Sequence, residues 1–281
     1  MFDRISRSWD LVKASASVLA SDKELMLFPL VSTGVLLIVI ASFALPVIGL
    51  NLFGAAGVHG HPSVLMYIVG FLFYFTHYLV IFFFNTALVA AAMLRLDGKG
   101  GTFGDGIRIA TSRLGSIVGY ALIAATVGMI LKAIQERVGF VGKIIVGLLG
   151  VGWSIATYLV APVLAAKDVG PIEAIKESAM LLKKTWGENL IGQAGIGVAF
   201  GFIWLAVAGC AAALVVLAIM SHSIALIVTA IGIGVLALAV TALVHAALAG
   251  IYSAALYRYA TQGEGTDAFD KGMLQLAFAP K

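Results

Sequence analysis

The chain has 281 residues, of which 61% are hydrophobic and only 11% charged, with a mean hydropathy of +1.05. That leaves too little polar surface to coat a water-soluble globule, so a soluble enzyme of this length is excluded. The net charge of +4 arises from 18 Lys and Arg against 14 Asp and Glu, and the basic residues are scattered beside apolar stretches. This distribution points to membrane boundaries and argues against nucleic acid as a partner.

The first predicted element is an amphipathic N-terminal stretch. Phe2, Ile5, Trp9, Val12, Ala16 and Leu19 recur at three- and four-residue spacing, opposite Arg4, Asp10 and Lys13. Six long apolar segments follow: Met26–Leu50, Val64–Leu94, Leu114–Leu131, Ile144–Ala166, Leu190–Met220 and Ile224–Tyr257. Their central portions hold no Asp, Glu, Lys or Arg, and each reaches the ~18 residues a helix needs to cross hydrocarbon. The expected fold is all-α, a bundle of six membrane-spanning helices. About two dozen amphipathic residues precede a first apolar run longer than any signal-peptide core, so that run is read as a retained span. The third segment is the shortest, and a re-entrant hairpin there is the alternative to a full crossing.

The second, fourth and sixth segments end alike, at Ala91–Arg95, Ala161–Lys167 and Ala254–Arg258, and each enters a Gly-containing turn. A short amphipathic stretch comes next in every case. Its apolar stripe is Phe103, Ile107, Ala110 and Leu114 after the second span. After the fourth it is Ile172, Ile175, Ala179 and Leu182, and after the sixth Phe269, Met273 and Leu276. Thr102 and Asp105 have the spacing of a capping box, and Gly170-Pro171 places Pro at a first helical position. The chain therefore reads as one membrane domain with a threefold repeat of collar helix plus hairpin, in units of about 1–94, 95–166 and 167–281. Pro162 is expected to kink the fourth span.

Alternating loops differ sharply in charge. One set, with both ends of the chain, holds fifteen Lys and Arg; the other holds only Lys132, Arg137 and Lys143. By the positive-inside rule both termini are expected in the cytoplasm and the chain in the cytoplasmic membrane. The collar helices then lie at the inner headgroup layer. There Arg4, Arg7, Lys13, Arg108, Arg113, Lys176, Lys183 and Lys184 are expected to meet anionic lipid, each contributing roughly 1 kcal/mol. The structural alternative is that these helices merely fix span tilt and register.

Polar residues at membrane depth are few, and each is a functional candidate by default. His77 and Asn85 occupy nearly one face of the second span, while Thr241 and His245, four apart, share a face of the sixth. A cavity lined by His77, Asn85, Thr241 and His245 is the candidate site; the structural alternative is that each bonds a neighbouring helix as packing glue. No catalytic residue, metal site or cofactor is assigned. Cys210 is the single cysteine, His59-Gly60-His61 has no carboxylate or cysteine nearby, and Ser154 lacks the signature of a serine nucleophile.

Ser8-Trp9, followed by Asp22-Lys23-Glu24-Leu25-Met26-Leu27-Phe28-Pro29-Leu30, resembles the opening of an uncharacterised bacterial and archaeal family of six-span membrane proteins. The hairpin-plus-collar repeat is more loosely similar to the membrane domain of some glycerophosphodiester phosphodiesterases, whose soluble domain has no counterpart here. The resemblance implies a membrane fold and no catalytic residues. The expected function is non-enzymatic organisation of lipids or membrane-protein partners, with a transporter or channel for a small neutral or lipid-like molecule as the alternative. Membrane lipids are the expected partners.

Overall fold

The computed structural model describes residues 2–49, 64–186 and 195–263, and among these the chain is helical with no strand. Its helices are α1 (Phe2–Ser21), α2 (Leu27–Gly49), α3 (Val64–Leu96), α4 (Phe103–Ser112) and α5 (Leu114–Arg137). They continue with α6 (Phe140–Ala156), α7 (Val160–Ala166), α8 (Pro171–Trp186), α9 (Gly195–Met220) and α10 (Ile224–Gln262), and a 3-10 turn, Lys23–Met26, links α1 to α2. Six stretches are long and apolar enough to cross a membrane: the 3-10 turn with α2, then α3, α5, α6 with α7, α9 from Phe200 onward, and α10. This is a multi-pass membrane protein with an all-α fold. The C-terminal stripe at Phe269, Met273 and Leu276 lies outside the described residues.

The chain packs as two units, residues 27–184 and residues 1–26 with 185–281. In the first unit α3 is the central helix, touching α2, α4, α5 and α7. At 33 residues it is about 50 Å long, well beyond the ~30 Å hydrocarbon layer, so one end projects. Thr86 to Ala92 near that end are buried, and their small side chains let neighbouring helices approach closely. Just beyond, Gly98 adopts φ +71°, a conformation that costs glycine nothing, and Arg95 Nε donates to Gly101 O at 2.9 Å to close the turn.

That turn delivers α4 onto the α2–α3 hairpin. Thr102 Oγ1 accepts from Asp105 N–H and the Asp105 carboxylate accepts from Thr102 N–H, each at 3.2 Å, so the expected capping box is present. Phe28 at the start of α2 is fully buried, its ring 4.7 Å from that of Phe103. Gly106 lies against both hairpin helices: a methyl group there would overlap the Ala87 carbonyl and sit 2.7 Å from Phe28 Cζ. Pro29 falls in the first turn of α2, where an N–H would have no helical partner.

The third span proves longer than the sequence suggests, 24 residues ending at Arg137. Lys132 therefore rides on its last turns, where its ammonium rests 5.6 Å over the Tyr74 ring and 3.4 Å from the phenol oxygen. The fourth span differs from expectation in another way. Instead of a kink at Pro162 it is interrupted at Thr157–Leu159, between α6 and α7. Pro162 has no N–H to return to the Tyr158 carbonyl and its ring crowds that group, so the turn before it tightens to three-residue bonds, Tyr158 N–H to Ile155 O and Val160 N–H to Thr157 O.

In the second unit, α9 and α10 form a hairpin on which α1 packs. Among the described side chains of α1, Val12, Ala14, Ser15 and Val18 are buried, whereas Trp9 is 45% exposed and Ala16 and Leu19 are half-buried. The packed face is thus rotated from the expected stripe. The same shift occurs in α8, where Ala174, Ser178 and Leu182 are buried while Ile172 is 59% exposed. Small side chains face protein because they permit close helix contact, and bulky ones are left for lipid.

Candidate functional site: membrane-depth polar groups and the basic collar

His77 and Asn85 are both half-buried on α3, about 12 Å apart along the helix. The His77 ring lies 5.9 Å from Phe73, and among the described residues its buried Nδ1 has no hydrogen-bond partner. Thr241 and His245 belong to the other unit. The His245 ring stacks on Phe200 at 4.3 Å with an interplanar angle of 16°, and Thr241 Oγ1 donates to Ala237 O at 2.8 Å. Thr241 therefore spends its proton on its own helix, and His245 uses its ring face as apolar surface. The four residues form two pairs, one per unit.

Each unit also has an apolar groove beside its pair. One of about 340 Å³ runs between α2 and α3, lined by Ile40, Phe43, Ala44, Met66, Gly70 and Phe73 among others. The second, about 270 Å³, lies between α9 and α10 along Val207, Cys210, Ala211, Leu214, Gly234 and Ala237. Phe73 connects the first groove to His77, and Ala237 connects the second to Thr241. Apolar walls of this kind suit acyl chains better than hydrated solutes.

The basic residues sort by what they touch. The Arg113 side chain is 22% exposed, and its Nη1 lies 2.6 Å from Asp168 on the loop before α8, so it ties that loop to α5. Its guanidinium thus faces a carboxylate at the protein surface. Arg108 is exposed and pairs with Asp105 at 2.8 Å. Lys13 lies at a loose 4.0 Å from Asp10. Lys176, Lys183 and Lys184 are exposed along α8. Arg4 and Arg7 belong to α1, but their side chains lie outside the described set.

Hydrogen bonds from Thr102, side chain first and then backbone, together with the neighbouring Arg108, hold the Asp105 carboxyl below its ordinary value. A depressed folded-state value means the cap's contribution is complete above the ordinary carboxylate range and is lost as pH falls through the folded value. The thermal midpoint of wild type is therefore expected to exceed that of Asp105→Ala at neutral pH, with the gap closing in acid. A gap independent of pH would count against the cap.

Ser154 Oγ donates to Gly150 O at 3.0 Å within its own helix. His59 and His61 lie outside the described residues. Among the described ones no group of three or more His, Cys, Asp or Glu is placed to hold a metal. The sequence reading missed Ser178, a buried hydroxyl of α8 that bonds both sides of the interrupted fourth span. Its signal was a small polar residue on an apolar stripe, one collar away from a proline.

A sequence family described as a family of unknown function (DUF6159) matches residues 64–267. The match begins beyond the N-terminal motif at Asp22–Leu30, and nothing in it supports the looser likeness to phosphodiesterase membrane domains. No curated protein and no solved structure matches the chain significantly.

Proposed function

This chain belongs to the DUF6159 family, and we propose that it acts without catalysis, as an inner-membrane protein that organises anionic lipid or membrane-protein partners through its collar helices. The observation that carries the reading is the repeated packing of an amphipathic helix on a membrane hairpin. α4 packs on the α2–α3 hairpin, α8 bonds to the α6–α7 span, and α1 packs on the α9–α10 hairpin. The threefold repeat gives this pattern a simple origin, with the N-terminal helix serving the last hairpin.

Placed at the inner headgroup layer, α8 presents Lys176, Lys183 and Lys184 to phosphate, while exposed bulky residues such as Ile172 and Met180, 64% exposed, enter the acyl boundary. Cytoplasmic termini follow from the positive-inside distribution. The test is lipid analysis of protein purified from native membranes. Enrichment of anionic over zwitterionic lipid, relative to the bulk membrane, is expected; a copurified lipid profile equal to the bulk would defeat the proposal.

A passive carrier or channel for a neutral or lipid-like molecule is the second reading. The interrupted fourth span and the unpartnered Nδ1 of His77 favour it, since irregular backbone and polar atoms at membrane depth accompany permeation paths. Flux of a neutral solute into reconstituted vesicles, abolished in a His77→Ala, His245→Ala double variant, would decide for it. Equal leak with and without protein would decide against.

A further inference from the structure

The first unit holds a cation beside its apolar groove, in the half of the spans away from the collar helices. Tyr74 of α3 lies thirteen residues from Ala87, where Gly106 of α4 docks, and Lys132 of α5 lies thirteen residues from Gly119, where Pro171 of α8 packs. Each separation is about 20 Å along its helix, more than half of a ~30 Å hydrocarbon layer. Lys132 and Tyr74 meet at that level, the ammonium 3.4 Å from the phenol oxygen and 5.6 Å over the ring.

This pair offers donors and no anion. One ammonium N–H serves the phenol oxygen, which leaves the others to donate elsewhere, and the phenol keeps its own O–H. Among the described residues no acceptor meets these groups and no carboxylate reaches the ammonium; Glu136, one turn further along α5, is exposed and forms no bridge with it. An unpaired charge within a span is costly, and two neighbouring donors, one of them charged, are matched by the oxygens of a phosphate.

One ring separates the pair from the groove between α2 and α3. Tyr74 lies edge-on to Phe73 at 6.2 Å, and Phe73, 5.5 Å from Phe43 across the two helices, forms part of the groove wall. Every residue lining the groove's 340 Å³ is apolar, and a methyl group at Gly70 on its wall would meet nothing within 4 Å. An open apolar trough with an unpaired cation at its edge complements an amphiphile with a negative head. We propose that this groove, with Lys132 and Tyr74, binds one anionic phospholipid in the leaflet opposite the collars, its phosphate on the ammonium and the phenol and an acyl chain along Phe43, Gly70 and Phe73. The site is independent of the collar lysines and goes beyond the reading built on them.

The test is photocrosslinking of the full chain in phosphatidylcholine vesicles, with phosphatidylglycerol or phosphatidylcholine probes that carry a diazirine on one acyl chain. Adducts are mapped by mass spectrometry and scaled to those at the exposed Leu205 and Leu217 of α9. At residues 40–48 and 66–73 the glycerol probe is expected to exceed the choline probe by about fivefold, the advantage of one lysine near anionic lipid. Lys132→Gln is expected to abolish that preference and Lys132→Arg to keep it, while Gly70→Phe, which fills the groove, lowers adducts there from both probes. The Lys176→Gln, Lys183→Gln, Lys184→Gln variant is expected to label like wild type, which separates this site from the collars. Equal adducts from the two probes in wild type overturn the site, as does a preference that survives Lys132→Gln or disappears with the α8 lysines. Should Gly70→Phe fail to fold, the exposed Lys132 substitutions decide alone.

Discussion

Phe28→Ala is expected to destabilise the first unit by about 3–5 kcal/mol, the range for deleting a fully enclosed aromatic ring. The ring is inaccessible, it stacks near Phe103, and it fills the space that Gly106 leaves open. Removing it empties the seat on which α4 docks, and α4 is too short to hold as a helix in isolation. The complementary change is Gly106→Ala, which inserts a methyl between Phe28 and the Ala87 carbonyl and costs about 1–3 kcal/mol through overpacking. Gly104→Ala, two residues earlier, has only Thr102 Oγ1 at 3.8 Å as a neighbour. It is expected to stabilise by about 0.5–1 kcal/mol through helix propensity. Thermal loss of the monodisperse species in detergent ranks the three, and a Gly106→Ala protein as stable as Gly104→Ala would disprove the docking geometry.

Neutralising Lys176, Lys183 and Lys184 together has the largest functional effect expected. At roughly 1 kcal/mol per lysine near an anionic surface, their joint loss corresponds to roughly a hundredfold weaker retention of anionic lipid. Because the attraction is screened over roughly 8 Å at physiological salt, wild type should lose most of the same advantage in high salt, whereas the variant should change little. Arg113→Gln should behave oppositely. Its guanidinium is paired with Asp168 in a partly exposed bridge, so the variant is expected to lose about 1 kcal/mol of stability or less and to keep its lipid. Lipid retention after purification in low and high salt measures both. A triple variant with wild-type retention would show that the α8 lysines face something other than lipid headgroups.

Spans were the most legible part of this chain, because runs of apolar residues without charge have one reading in water and one in lipid. Their ends were less so. α5 continues six residues past Leu131, because Lys132 and Arg137 extend along its outer turns instead of ending it. The capping box at Thr102 and the initial Pro171 were readable since they depend on local chemistry alone. What periodicity misplaced was the inward face of the collars. In water the bulkiest stripe turns inward, but at a membrane Trp9, Ile172 and Met180 have lipid to face, and contact passes to Ser15, Gly106, Ala174 and Ser178.

The candidate site was legible in its residue types and not in its relations. His77 and His245 stand out in any apolar span, yet the stacking of His245 on Phe200 joins helices whose register no local pattern encodes. The interruption at Thr157–Leu159 was announced by Pro162, but the hydroxyl that serves it comes from nineteen residues downstream of Leu159. A tertiary hydrogen bond of that separation leaves no periodic trace.

The central claim, six crossings with the collars on the inner side, is tested most directly by mapping single cysteines in a Cys210→Ser background with a membrane-impermeant maleimide. Cysteines at Lys99 and Lys176 are expected to react only after the cells are permeabilised, and those at Arg137 and Ser221, all four positions being exposed, to react on intact cells. Labelling of position 99 or 176 on intact cells, or protection of 137 and 221, would contradict the account.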